Sequence, residues 1–357
     1  MVPIYNRSDK IRRLIENLLN QNITDAEFLL LDDGSTDDTV AEIKPFLAKD
    51  SRLRLITKHN TGTGDTRNLG IHKARGKWLY FLDSDDAIPS SDTLSKLVEL
   101  AESEHVLVAG GSTQFERRGK VLFHTSGWPE DGSATQDDWF NKIGDLTQEP
   151  FEYFAKEGVY LYTDYQYDAG FSRFIYSKQL LIDNCIAFPR ATFYEDPLFF
   201  VRAMDSAKKF AVISEPTYIY RIGWHPIRFD YDFCIENLHG MKSNLLFSKK
   251  QGYSRLHRIT YERFKRFGAV ELALSAETYV GLSEIVRATY DAFDPDLGGV
   301  DASSEVPASV VAINRFGTPE WNESKVRLER IGRLKSIKIK NAIKCNPLLL
   351  ALEDFRQ

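Results

Sequence analysis

The sequence predicts an α/β protein: a mostly parallel central sheet with helices on both faces, followed by a mainly helical C-terminal region. Three observations carry that expectation. Strand-type and helix-type patterns alternate over the first 110 residues. The strand-type runs are continuously apolar, as strands buried on both faces require. Beyond about residue 228, helical periodicity takes over. With 357 residues, 43% hydrophobic and 27% charged, the chain is long enough for one large domain with an appendage or for two domains.

Taken in order, "MVPI" is the first strand, short beside the five or six residues that are usual. Either the strand is truncated or the true start lies upstream. Ser8 is placed to cap a helix whose apolar positions are Ile11, Leu14, Ile15, Leu18 and Leu19. "AEFLLLDD" is a fully buried strand, and Thr36 or Asp37 opens a second helix through Val40, Ile43 and Leu47. "LRLIT" is the third strand, "DTRNLGIHKARG" a short helix stopped by Gly76, and "KWLYFL" the fourth strand. "SSDTLSKLVELAES" is a further helix and "HVLVAGG" the fifth strand. "QFERRGKVLFH" reads as a hairpin around Arg118-Gly119, followed by the polar loop "SGWPEDGSATQDD". Aromatics crowd residues 151 to 171, either to stack on acceptor sugars or as a tyrosine-rich core layer. A helix "EDPLFFVRAMDSA" and strands in "KKFAVISEPTYIYRI" come next, and 298–310 is a flexible loop. The expected organisation is one domain over 1–228, with a nucleotide half 1–110 and an acceptor half 111–228, then a helical region 229–357.

A formal charge of −5 implies no polyanion partner, so a nucleic-acid role is not expected. Cys185, Cys234 and Cys345 are too scattered for a disulfide scaffold or a thiolate zinc site. No apolar run approaches the roughly 20 residues of a bilayer span, and the N-terminus lacks a signal-peptide pattern. A cytoplasmic protein is expected. The segment 324–345 holds eight Lys or Arg against one Glu, with Val326, Leu328, Ile331, Leu334 and Ile337 near helical spacing. It fits a peripheral contact with an anionic inner membrane face, or a helix packed on the protein with its lysines in water.

Two acidic clusters fall where predicted strands end: Asp32-Asp33 after "FLLL", and Asp83, Asp85 and Asp86 after "LYFL". Ligands of open parallel sheets bind beyond the carboxyl ends of the strands. Hard carboxylate oxygens suit Mg²⁺ or Mn²⁺, which bridge to phosphates and cancel the repulsion among neighbouring aspartates. Simple capping of the following helices competes with that reading.

"VPIYNRSDKIRRLIENLLNQ", "FLLLDDGSTDDT", "GTGDTRNLGIHKARGKWLYFLDSDD" and "YEDPLFF" together resemble the family 2 glycosyltransferases of GT-A fold. The resemblance implies inverting transfer of a sugar from a nucleotide-diphosphate donor, assisted by Mn²⁺ or Mg²⁺, to a glycan or lipid-linked acceptor. By this match Pro3 and Tyr5 edge the nucleotide pocket, with Tyr5 against the base. Asp33 matches the acceptor for a base N–H, which uracil offers and cytosine lacks; guanine and thymine sugars stay open. Arg67 matches an arginine of the donor site. Asp83 and Asp85 match the D-x-D pair, Asp85 for the metal and Asp83 for the ribose or a metal-bound water. Asp86 joins them or caps the next segment.

Inverting transfer is one displacement and needs one base. The resemblance assigns it to Asp196, with Glu195 in support; Pro197 makes Asp196 an N-cap candidate as well. His225, and more weakly Arg221 and Arg228, are candidate phosphate contacts. Two rivals remain: a degenerate member that binds nucleotide sugar or glycan without turnover, and a sugar nucleotidyltransferase, which would want glycines that "YNRSDK" lacks.

Overall fold

The computed structural model describes residues 1–117, 119–124, 154–221, 229–299, 306–319 and 321. The continuous apolar runs become buried strands. β1 (Val2–Ile4), β2 (Phe28–Asp32) and β3 (Leu53–Thr57) form a parallel sheet in which Leu30 lies opposite both Val2 and Leu55. All of β2 is buried, which is why its apolar run is unbroken. Met1 widens this sheet. Its amino group donates to the Tyr80 carbonyl at 2.7 Å, and the Leu82 N–H donates to the Met1 carbonyl at 3.0 Å. That is a parallel bridge opposite Phe81, and it sets β4 (Trp78–Tyr80) beside β1.

β4 in turn begins a second sheet, ordered β4-β8-β5-β9-β7, with β6 paired to β5. Its strands are β5 (Val108–Arg117), β6 (Lys120–His124), β7 (Gly158–Leu161), β8 (Phe174–Ser177) and β9 (Lys209–Arg221). The parallel order breaks here. β8 runs antiparallel between β4 and β5, β7 is antiparallel to β9, and only β5 and β9 are parallel. An antiparallel strand needs no crossover helix, so alternation of patterns could not locate β8.

Four helices cover the first half: α1 (Ile11–Leu19), α2 (Thr39–Leu47), α3 (Thr63–Lys73) and α4 (Thr93–Ser103). Ile11, Leu14, Ile15 and Leu18 of α1 are buried, as its spacing predicts. Ser8 does not cap α1, which starts at Ile11; its N–H goes across to Asp37 at 3.1 Å. Asp37 also accepts from the Thr39 N–H and hydroxyl, and the Thr39 hydroxyl leads the bonds that lower its pKa.

The aromatic-rich stretch is core. Tyr162, Tyr165, Tyr167 and Phe171 are buried, while Phe151 and Tyr153 lie outside the described residues. Phe81 is ringed by Phe171, Tyr176, Phe188 and Phe199 at 5.3 to 5.9 Å. Phe188 and Phe199 stack at 3.9 Å.

The chain divides into two compact units, and the sheets belong to the first, whose described residues end at 221. The second, described from residue 229, is helical: Tyr231–Gln251, Ser254–Lys265, Tyr279–Asp291 and Ala308–Arg315 are its longer helices. Asp230 caps the first by accepting from the Phe233 N–H at 3.1 Å, and Gly252 ends it at φ +73°. The basic segment 324–345 lies outside the described residues, and no described helix is long and apolar enough to cross a membrane.

Candidate active site

β1, β2 and β4 run the same way, so the segments that follow them meet along one edge of the sheet. The loop after β1 sits between the two acidic turns. On one side, the Asn6 N–H donates to Ser35 Oγ at 2.9 Å, and the Thr36 N–H to Asn6 Oδ1 at 2.8 Å. On the other, Arg7 Nε donates to Ser84 Oγ at 3.0 Å and Arg7 Nη2 lies 4.0 Å from Asp85. Pro3 is buried in β1 opposite Leu31, and Tyr5 is 44% exposed at the edge.

Asp33 is held by the 58–62 segment. Lys58 Nζ and the Thr61 N–H donate to its Oδ1, the latter at 3.0 Å, and the Gly62 N–H donates to Oδ2 at 2.9 Å. Its side chain is 6% exposed. These bonds fix the entry into α3. Gly34, at φ +76°, lets the turn approach closely: a Cβ there would lie 2.9 Å from the Asn60 nitrogen.

Arg67, one turn into α3, is 4% exposed. Its guanidinium packs over the rings of Phe171 and Phe188, at 4.8 and 5.1 Å. Nη2 donates to Asp83 Oδ1 at 2.7 Å and Nη1 to Glu195 Oε1 at 3.0 Å. Nε has no hydrogen-bond partner among the described residues. Burial alone disfavours the charge, but Asp83, Glu195 and Asp196 together outweigh it and hold the pKa above its ordinary value. One cation thus ties the fourth-strand turn to the 195–196 element.

Glu195 and Asp196 open the helix α7 (Glu195–Ala207), after two short helices, α5 (Tyr162–Tyr165) and α6 (Lys178–Asp183). The N-cap position belongs to Tyr194, at φ +66°, so Asp196 lies inside the first turn and is not the cap. Backbone held in this left-handed region by a bulky residue marks a conformation that surrounding structure enforces. Burial raises the pKa of both carboxyls. For Glu195 the charge of Asp196 adds to it, and Arg67 opposes the shift in each. Asp168, 2% exposed, accepts from the Tyr194 hydroxyl at 3.3 Å and adds to the field at Asp196.

In the second turn, Asp83 and Asp85 stay partly open, with side chains 34% and 24% exposed. Asp86 turns inward, 3% exposed, and accepts from the Tyr218 hydroxyl at 2.5 Å and the Arg221 N–H at 2.8 Å. Burial, then repulsion from Asp83, pushes its pKa up to about 8. The same Tyr218 hydroxyl accepts from the Asp83 N–H at 3.3 Å. Ala87 and Ile219 exchange backbone bonds of 3.2 and 2.9 Å, so β9 braces the turn from behind. Arg221, a candidate phosphate contact by sequence, also donates to the Asp86 carbonyl at 3.1 Å. His225 and Arg228 lie outside the described residues.

Among the described residues no group of three or more acidic, His or Cys side chains stands ready for a metal. Mg²⁺ and Mn²⁺ do not ask for one, since one or two carboxylates plus substrate phosphates and water suffice. Asp83 and Asp85, hard oxygen donors on one partly open turn, fit that chemistry. Tyr218, Arg7 and Asp168 escaped the sequence reading. Only Arg7 had a local signal, as the basic residue of the loop after the first strand.

Fold and edge together define a GT-A-type glycosyltransferase fold. Crystallised S. aureus TarS 1–349 shares it at a TM-score of 0.63 and 19% identity, over 96% of this chain and 93% of that one. Residues 1–158 match the family model described as glycosyl transferase family 2. EpsH of Bacillus subtilis (strain 168), whose name assigns it to the glycosyltransferases, is 28% identical over 229 residues. That match spans 62% of this chain and 60% of EpsH. The chondroitin synthase of Escherichia coli is 34% identical over 130 residues, 36% of this chain and 19% of that protein.

Proposed function

We propose that the protein transfers a sugar from a nucleotide-diphosphate donor, with UDP-sugars favoured, to a hydroxyl of a glycan or lipid-linked acceptor, with inversion. The observation that carries this reading is the shared guanidinium of Arg67, which binds Asp83 on one side and Glu195 on the other. It brings the donor-side carboxylates and a base into one electrostatic unit.

Asp196 takes the proton of the acceptor hydroxyl. Its raised pKa brings it nearer the working pH, where a base is most effective. Glu195, with one oxygen on Arg67, orients the pair, and a single displacement needs no second carboxylate as nucleophile. Asp85 and Asp83 would hold Mn²⁺ or Mg²⁺ with the donor diphosphate, and the bound ion supplies Lewis-acid neutralisation of the departing diphosphate. Tyr5 offers an exposed ring to the nucleobase. Asp33 accepts three donors where a carboxylate has about four lone-pair sites, which leaves Oδ2 one site for a base N–H. The basic segment 324–345 would carry the protein to an anionic membrane surface that presents a lipid-linked acceptor.

TarS, which shares the fold, has been crystallised with UDP and with UDP-GlcNAc, so UDP-GlcNAc is the first donor to assay. Calorimetry with UDP and Mn²⁺ is expected to show binding that chelation removes. Release of UDP from UDP-GlcNAc or another UDP-sugar should then follow addition of acceptor. Failure of every UDP-, GDP- and dTDP-sugar to stabilise the protein would remove the reading.

A further inference from the structure

β9 carries a second tyrosine that neither the bracing of the acidic turn nor the core accounts for. Side chains alternate along a strand, so Tyr220 stands on the same face as Tyr218, one step further along. Its neighbours on both sides grip the turn: Ile219 pairs with Ala87, and the Arg221 N–H bonds to Asp86. On the parallel strand, Phe115 lies in register with Tyr220, and the two rings sit 5.5 Å apart, tilted at 51°.

Tyr220 is 40% exposed, and its hydroxyl has no hydrogen-bond partner among the described residues. Tyr218, by contrast, is 1% exposed and bonded at its hydroxyl. What burial Tyr220 has, together with the charges of Asp86, Asp85, Asp83 and Asp196, pushes its pKa up to about 12. Its ring therefore stands within the field of both the metal-side carboxylates and the base. A large aromatic left half-exposed at such a place offers a flat apolar face beside acids. The C–H face of a pyranose, whose hydroxyls point outward to polar groups, matches that surface.

We propose that Tyr220, backed by Phe115, is the stacking platform for a pyranose ring at this edge, either the sugar being transferred or the sugar that receives it. The proposal rests on the sugar-transfer reading. The test uses the full chain, with Tyr220→Ala and Tyr220→Phe beside the wild type. The probes are UDP, UDP-GlcNAc and methyl glucopyranoside, the last added to protein loaded with UDP and Mn²⁺. Calorimetry reports the nucleotides, and saturation-transfer NMR reports the free pyranose.

Tyr220→Ala is expected to keep UDP affinity within about twofold. It should also abolish the advantage of UDP-GlcNAc over UDP if the ring is the donor's, or the saturation of the free pyranose C–H protons by tenfold or more if it is the acceptor's. Tyr220→Phe should stay within about threefold of wild type, because the ring and not the hydroxyl does the stacking. If Tyr220→Ala changes neither signal, or if Tyr220→Phe loses as much as Tyr220→Ala, the platform is refuted. A wild type that binds UDP but shows neither ring signal refutes it too. A wild type that fails to bind UDP at all counts against the sugar-transfer reading itself.

Discussion

The two acidic turns resemble each other in composition and differ in use. Both follow parallel strands at the same edge, and both place aspartates at the strand end. At the first, Asp33 accepts from Lys58 and two backbone N–H groups and its side chain is 6% exposed. At the second, only Asp86 is turned inward, onto Tyr218 and Arg221, while Asp83 and Asp85 keep open faces. A carboxylate that takes three local donors holds the chain in place, whereas Asp83 and Asp85, on a turn braced through Asp86, stay partly exposed. The difference lies in the second segment that reaches each turn. β9 comes to Asp86, and the 58–62 segment comes to Asp33.

The largest expected effect tests what stands beside the open turn. Asp196→Asn should lower turnover by about 10³-fold or more while UDP affinity stays within about twofold. In the wild type, kcat/KM should rise with pH, because the base acts ionised. Its midpoint should lie above the ~3.9 of an ordinary aspartate, since burial raises this carboxyl. The residual activity of Asp196→Asn should lose that limb. A full-rate Asn variant would move the base elsewhere.

Next, Asp85→Ala should cut turnover by about 10²-fold and make UDP affinity indifferent to Mn²⁺, with thermal unfolding nearly unchanged. Metal-dependent binding that survives the change would close the open turn as a metal site.

Asp33→Ala should weaken UDP binding too, but with a loss of stability that Asp85→Ala lacks. Loss of a buried charged acceptor for three donors is expected to lower the unfolding free energy by about 2 kcal/mol or more, read by denaturant titration. A stable Asp33→Ala protein that merely binds UDP poorly would erase the contrast between the turns.

The smallest effect is at the brace. Tyr218→Phe removes the hydroxyl between the Asp83 N–H and the Asp86 carboxylate. It should cost about 1 kcal/mol of stability and raise the Mn²⁺ requirement several-fold. A change in stability alone would make Tyr218 part of the core and nothing more.

Much of this was legible beforehand. α1 and the buried strand β2 follow from periodicity alone, because their apolar residues serve one core. The Asp83–Asp85 turn and the Glu195-Asp196 pair could be picked out as short motifs, since each lies within a few consecutive residues. β8 was not legible: four buried residues, Phe174–Ser177, pair antiparallel between strands nearly 70 and 100 residues earlier. Ser8 misled because its preference for capping is local, and Asp37 offered a competing partner across the loop. The aromatic stretch left two readings open, and burial of Tyr162, Tyr165 and Phe171 chose the core.

By itself, the sequence determined the α/β alternation of the first half, the helical pattern of the second and the identity of the acidic groups. Those depend on spacing along the chain, which local backbone geometry converts directly into faces and ends. Only the tertiary structure decided which aspartates are filled, which are braced and which stay open. Arg67 meets Asp83 and Glu195, and Tyr218 meets Asp86, across separations of 16 to 132 residues. Such meetings follow from how strands pack side by side, and no local pattern of residues encodes that distance.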